Sequence, residues 1–221
     1  MNVLALETAT AACSVALLTP HGVHEIHEIA PRRHTELLLG MVERVLTMGD
    51  IARAAVDLVA FGAGPGTFTG VRVAAAVAQG LALARDLPVA PVSTLAALAA
   101  GGARLHGARQ VVAALDARRD EVYLAALRFA SPQATGESVV AECVMSPADI
   151  VLAEPADWFA VGNGWDIYAA QLPRDIAAMP RGTPLHPHAQ DVARLGLALH
   201  AGGASVAACD AHPVYLRGAL D

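Results

Sequence analysis

The sequence predicts an α/β protein made of two copies of one βββαβα lobe, and three observations carry that reading. Each half opens with an apolar run ending in an acid, Leu6-Glu7 in the first and Leu115-Asp116 in the second. Each run is followed by two further strand-like segments, as in a meander. The stretch "DLVAFGAG" returns as "DWFAVGNG", so Asp57, Ala60, Gly62 and Gly64 correspond to Asp157, Ala160, Gly162 and Gly164. Single matches arise by chance. A repeated order of elements with paired acids and glycines indicates an internal duplication.

In the first half "NVLALETA", "CSVALLTP" and "GVHEIHEIA" predict three strands, the last two joined by the turn Pro20-His21-Gly22. "HTELLLGMVERVLTMG" has helical spacing and stops at Gly49. A strand "DLVAFGAG", a helix "FTGVRVAAAVAQGLALARD", a strand "LPVAPVS" and a helix "TLAALAAGG" follow. The second half repeats the order with "QVVAALDA", "DEVYLAALRFA" and "ESVVAECVMS". "SPADIVLAE" predicts a helix opened by Ser146 with Pro147 in its first turn. A last helix, "DVARLGLALHAGG", and the tail "PVYLRGALD" close the chain, and the tail is expected to pack back on the first lobe. The division is expected at residues 1–104 and 105–221.

Composition narrows the function classes. Hydrophobic residues make up 55% and mean hydropathy is +0.45, yet the longest uncharged run, residues 87–103, is broken by Pro88, Pro91 and Gly101-Gly102. It falls short of the roughly 20 apolar residues a spanning helix needs. "MNVLALETAT" has no early basic residue, so it reads as an internal strand, and a cytoplasmic location with no membrane contact is expected. Net charge is −6 and every Lys+Arg residue is Arg. Scattered arginines on an acidic chain are poorly suited to gripping nucleic acid unaided. Cys13, Cys143 and Cys209 form neither a disulfide framework nor a metal knuckle.

"GAGPGTFTGVR", residues 62–72, poses the main chemical question. It is not a phosphate loop of the GxxxxGK[ST] type, because the chain has no Lys. Nor do Gly62, Gly64, Gly66 and Gly70 have the GxGxxG spacing. Amides at the start of the following helix can hold an anion. The alternative is a tight turn that lets strand and helix pack closely.

The duplicated order is that of the actin-like and sugar-kinase-like ATPases, and Glu7 and Asp116 stand where such enzymes keep acids for metal and water. More specifically, "LALETATAACSVAL", "RRHTELL", "GAGPGTFTGVRVAAAVAQGLA", "DARRDEVYLA", "GNGW" and "PVYLR" together resemble the TsaB family over nearly the whole chain. That resemblance implies a subunit of the bacterial machinery that makes threonylcarbamoyladenosine beside the anticodon of ANN-decoding tRNAs. It also implies likeness in fold to the catalytic subunit TsaD, formerly described as a glycoprotease. TsaD carries an N-H-x-x-x-H motif whose histidines bind a metal, and here Thr94 and Leu98 stand in their places. The resemblance therefore implies no catalytic residues and no metal centre. Family members commonly end the first strand in Asp, whereas this chain has Glu7.

The nine histidines supply no convergent set in sequence. His24 and His27 point to opposite faces of a strand, and His186 and His188 flank Pro187 and need outside ligands. His34 opens a helix, where a local polar role is expected. Cys13, among Ala11, Ala12 and Val15, reads as a packed thiol.

Two helices of the first half are apolar on more than one side. Leu38, Val42 and Val45 make one stripe and Leu37, Met41 and Met48 another, while "VRVAAAVAQGLALA" has little polar face beyond Arg72 and Gln79. Such helices are either enclosed by their own chain or covered by a partner. The resemblance implies the partner: TsaD, and with it the ATPase TsaE, bound through Leu37, Met41, Val45, Met48, Arg72, Val73 and Val77. It implies a homodimer through the same helices when TsaD is absent, and tRNA reached indirectly through the complex. No tightly bound cofactor is expected. A nucleotide is expected only at the subunit junction, with Glu7, Gly64, Gly66 and Thr67 as its contacts. The alternative reading is a small ATP-dependent phosphotransferase or ATPase acting through Glu7 and Asp116.

Overall fold

The computed structural model describes residues 1–217, and the chain forms two compact units. The last four residues of the tail lie outside the described part. In the first unit β1 (Val3–Glu7), β2 (Ala12–Thr19) and β3 (Gly22–Ile29) form the expected antiparallel meander. β4 (Leu58–Gly64) adds to β1 in parallel and β5 (Val89–Ser93) adds to β4, giving the order β3-β2-β1-β4-β5.

β1 is buried on both faces, and alternation sorts its side chains. Leu4 and Leu6 join Val15, Val59 and Phe61 against α1 (His34–Met48) and α2 (Phe68–Leu83). On the opposite face Val3, Ala5, Ala16, Ala60 and Ala90 meet α6 (Ala189–Ala201) through Ala189, Val192 and Ala193. Small residues bring α6 unusually near the sheet, because a Cβ on Gly196 would lie 2.5 Å from Ala60 Cβ. Residues 206–214 then return along this unit. Val206 bridges Val89, Gln79 Nε2 donates to Ala211 O, and Val214 N–H donates to Ala63 O.

The second unit repeats the sheet. β6 (Gln110–Arg118), β7 (Glu121–Arg128) and β8 (Glu137–Met145) form a second meander, and parallel β9 (Phe159–Val161) and β10 (Arg181–Gly182) complete the order β10-β9-β6-β7-β8. Read from the other edge, this is the order of the first sheet, as expected for duplicated lobes of the actin-like and sugar-kinase-like fold. The helices did not keep pace. α4 (Gly164–Ile167) and α5 (Arg174–Ala177), four residues each, both lie between β9 and β10 where the first unit has the 16-residue α2, and only 3₁₀ turns at 147–149 and 155–157 stand in the place of the 15-residue α1.

The helix expected at "SPADIVLAE" is a single 3₁₀ turn, Pro147–Asp149, with Ser146 Oγ accepting from Ala148 N–H. Beyond it Ile150 and Leu152 are buried while Val151 is 84% exposed, an alternation that suits extended chain rather than a helix face. Pro147 and Pro155 bracket the segment. The repeat is also out of step by two residues. Ala5 faces Ala60, but Val112 rather than Ala114 faces Ala160, so the acid pair and the glycine pairs cannot be matched in one register.

Where the sequence suggested a division after residue 104, one unit holds Met1–Ala97 with His188–Val214 and the other Leu98–Pro187 with the segment from Tyr215. α3 (Thr94–His106), whose start is capped by Ser93 Oγ accepting from Ala96 N–H, contributes its first turn to one unit and its remainder to the other.

Candidate functional site

The glycine loop is closed by the turn after β1. Thr67 N–H donates to Ala9 O at 2.7 Å, and Thr8 Oγ1 donates to Gly70 O at 2.7 Å. A Cβ on Gly66 would lie 2.5 Å from Ala9 O, and one on Gly70 would overlap Thr8 O. Gly64 has φ +113 and faces Val214 O, so it too needs to be glycine. At the N-terminus of α2 Thr67 Oγ1 accepts from Gly70 N–H, and Thr67 O accepts the first intrahelical bond from Val71 N–H. The close-packing role thus accounts for the glycines.

Glu7 sits beneath this loop, fully buried. Its Oε1 accepts from Ala9 N–H at 2.6 Å, and its Oε2 accepts from Thr94 Oγ1 at 3.4 Å. Burial, opposed by hydrogen bonds from Ala9, Thr94 and Thr8, pushes the Glu7 carboxyl up to about 7. Thr94, standing where the resemblance places a metal-binding histidine, is itself a buried donor to that carboxyl. Leu98 is fully buried beside Gly162.

The second acid has a different setting. Asp116 Oδ1 accepts from Tyr168 Oη at 2.7 Å and from Arg118 N–H at 2.8 Å, and Oδ2 pairs with the Arg118 guanidinium at 3.0 Å. Burial first, and Asp116 next, push the Tyr168 phenol up to about 12. This carboxylate is already neutralised and hydrogen-bonded. Cys13 is fully buried in the core, and burial pushes its thiol up to about 11, so it behaves as a packed side chain rather than a nucleophile. His34 opens α1 and its Nε2 lies 3.2 Å from Ala12 O, a local anchoring role.

The residues expected to meet a partner separate into two groups. Met41 and Val45 belong to the first unit's own core, 2% and 0% exposed, and do not reach the surface. The buried stripe of α1 is wider than the spacing suggested, taking in Leu38, Met41, Val42, Val45 and Leu46. Met48 and Arg72 are exposed, and Leu37, Val73 and Val77 are half-buried at the core's margin. Leu39, Phe68 and Leu83 are also exposed apolar residues of the two helices, and Arg72 lies over the Phe68 ring at 3.4 Å. Gly40 and Gly80 lie mid-helix on the open side, and a Cβ at either would meet nothing within 4 Å.

A further cluster had only a partial signal in sequence. Glu25 and His27, two apart on β3, share a face, and His188 at the start of α6 reaches them from 163 residues beyond Glu25. Burial raises the Glu25 carboxyl, but hydrogen bonds from His188, Gln190 and Ser14 outweigh it and hold the group below the usual carboxylate range.

No helix among the described residues is long and apolar enough to cross a membrane. The family model described as "TsaD: tRNA N6-adenosine threonylcarbamoyltransferase" matches residues 19–204. The chain is 39% identical over 221 residues to the tRNA threonylcarbamoyladenosine biosynthesis protein TsaB of Escherichia coli K12, covering 98% of this chain and 95% of that one. Identity to the protein of the same name from Haemophilus influenzae is 38% over 225 residues, covering 98% and 94%. Among solved structures, YeaZ from Pseudomonas aeruginosa superposes with a TM-score of 0.90 at 42% identity, covering 97% of this chain and 99% of that one. Sequence, fold and the paired sheets agree: the chain belongs to the TsaB family of tRNA threonylcarbamoyladenosine biosynthesis proteins.

Proposed function

We propose that the protein is an accessory subunit without chemistry of its own, which docks onto TsaD through the outer faces of α1 and α2. With TsaE it would support threonylcarbamoylation of the adenosine beside the anticodon in ANN-decoding tRNAs. TsaD would supply the metal and the transfer step, tRNA would be reached through the complex, and the setting would be the cytoplasm. When TsaD is absent, two copies would pair through the same surface.

The observation that carries this reading is the open side of α1 and α2. It presents Met48, Phe68 and Leu83 with Val73 and Val77 at the margin, and two mid-helix glycines that no described residue packs against. A helical glycine costs about 1 kcal/mol relative to alanine. Close approach of another helix gives these two a physical reason. The enclosed state of Glu7 also supports it, because an actin-like ATPase needs an ionised acid open to magnesium. A phosphotransferase acting through Glu7 and Asp116 would have to expose the first and release the second from Tyr168 and Arg118. Titration of the isolated chain with ATP and magnesium separates the readings, and turnover would favour the enzyme.

Charge reversal on the surface tests the docking face. Met48→Arg and Val77→Arg should leave the chain folded and abolish co-purification with TsaD, since each puts an unpaired charge into the contact. Met41→Arg should unfold the first unit outright, because Met41 is core. Pairing of the Met48 and Val77 variants at unchanged affinity would remove this face from consideration.

A further inference from the structure

β3 and the start of α6 bring together three side chains away from the docking face. Glu25, His27 and His188 each offer a ligand atom, and these atoms lie within 4.8 Å of one another. All three are half-buried, between solvent and core. Alternation along β3 puts Glu25 and His27 on one face, and His188 arrives as the residue preceding the first turn of α6.

The carboxylate is held in place. Glu25 Oε1 accepts from Ser14 Oγ at 3.1 Å and from Gln190 N–H at 3.0 Å. Its Oε2 accepts from Gln190 Nε2 at 2.7 Å and lies 3.0 Å from His188 Nδ1. An ionised carboxylate only accepts, so His188 Nδ1 must donate. Oε2 and Nδ1 are also near enough to be two ligands of one ion, which would take the place of that proton.

The second imidazole lies against the first. His27 and His188 stack at 4.0 Å between centroids with 10° between planes. Parallel rings do not aim their lone pairs at one point, so the His27 ring has to turn for both to reach the same ion. Two nitrogens and an anionic oxygen suit a borderline divalent ion of the zinc class, with solvent completing the shell. The histidines argue against calcium or magnesium, which take oxygen ligands.

We infer that Glu25, His27 and His188 form a binding site for a divalent transition metal of the zinc class, tying the start of α6 to the edge strand β3. The ion would act structurally, stabilising the folded state by mass action. The site is independent of docking to TsaD.

The test uses the full chain, stripped with chelator, and carrying Cys209→Ser so that the exposed thiol does not compete. Zinc is titrated against a chromophoric chelator, and cobalt is used as a spectroscopic probe of the ligand field. One equivalent should bind, the thermal midpoint should rise with added zinc, and His27→Ala and His188→Ala should each weaken binding at least tenfold. His188→Ala also loses the contact to Glu25 and could perturb α6, so His27→Ala, on the edge strand, is the decisive variant. No stoichiometric uptake, or uptake undiminished in His27→Ala, would overturn the site.

Discussion

Gly62 runs so close beside Glu7 that a Cβ at position 62 would overlap the Glu7 carboxylate. The parallel register sets Leu6 opposite Phe61, which carries the next residue of each strand side by side. The glycine is there to admit an acid, and the acid is then sealed in by Ala9 and Thr94.

Gly62→Ala should therefore destabilise the first unit by about 2 kcal/mol, the order expected for overfilling a packed site. Glu7→Ala in the same chain makes room, so the double variant should be less destabilised than the sum of the singles. Chemical denaturation of the four proteins gives the coupling. Strict additivity would mean that the two positions do not share one space.

Glu7 also sets a pH dependence. Its folded value of about 7 lies above the ordinary 4.5, so the folded state holds the proton more tightly than the unfolded state. The contribution to stability is therefore fully present below about 4.5 and is lost as pH rises through about 7. The loss is on the order of 3 kcal/mol. Glu7→Gln keeps an acceptor for Ala9 N–H and a group that can bond Thr94 Oγ1, yet does not titrate. Its stability relative to the parent should rise across that window and level off above it. A constant difference at all pH values would show that Glu7 does not bind a proton in this range.

Gly40 and Gly80 make a prediction with opposite signs in two assays. A methyl group added at either would find no neighbour within 4 Å, so alanine should stabilise the isolated chain by about 1 kcal/mol at each site. If the glycines serve close helix contact, the same substitutions should weaken binding to TsaD. Thermal melts and a pull-down on the same preparations check both. Gain in stability with unchanged affinity would place the contact elsewhere on the helices.

Much of this was legible in the sequence. The meanders announced themselves by apolar runs between turn residues, and the acids at the end of β1 and near the end of β6 marked the repeat. The family was readable from motifs spread along the chain. What failed did so for local reasons. "SPADIVLAE" has helix-start chemistry, yet its apolar residues bury at a spacing of two. Met41 and Val45 lie on different stripes of the sequence pattern, and only the breadth of the β2–β3 surface beneath α1 decides that both go inward. Glu25 and His27 were a readable pair, but their third member depends on where α6 lands, which no short-range spacing encodes.

The four-residue α4 and α5 carry one last implication. A duplicated fold with equally long helices in each copy would offer two similar sticky sides, and such a chain could string into an open filament. Here the second copy covers its sheet with short turns and helices that carry Trp158, Trp165, Tyr168 and Ile176, so the surface of α1 and α2 occurs once among the described residues. Its valence is one. If docking runs through that surface as proposed, a single mate occupies it, and a sibling copy and a different protein compete for the same place.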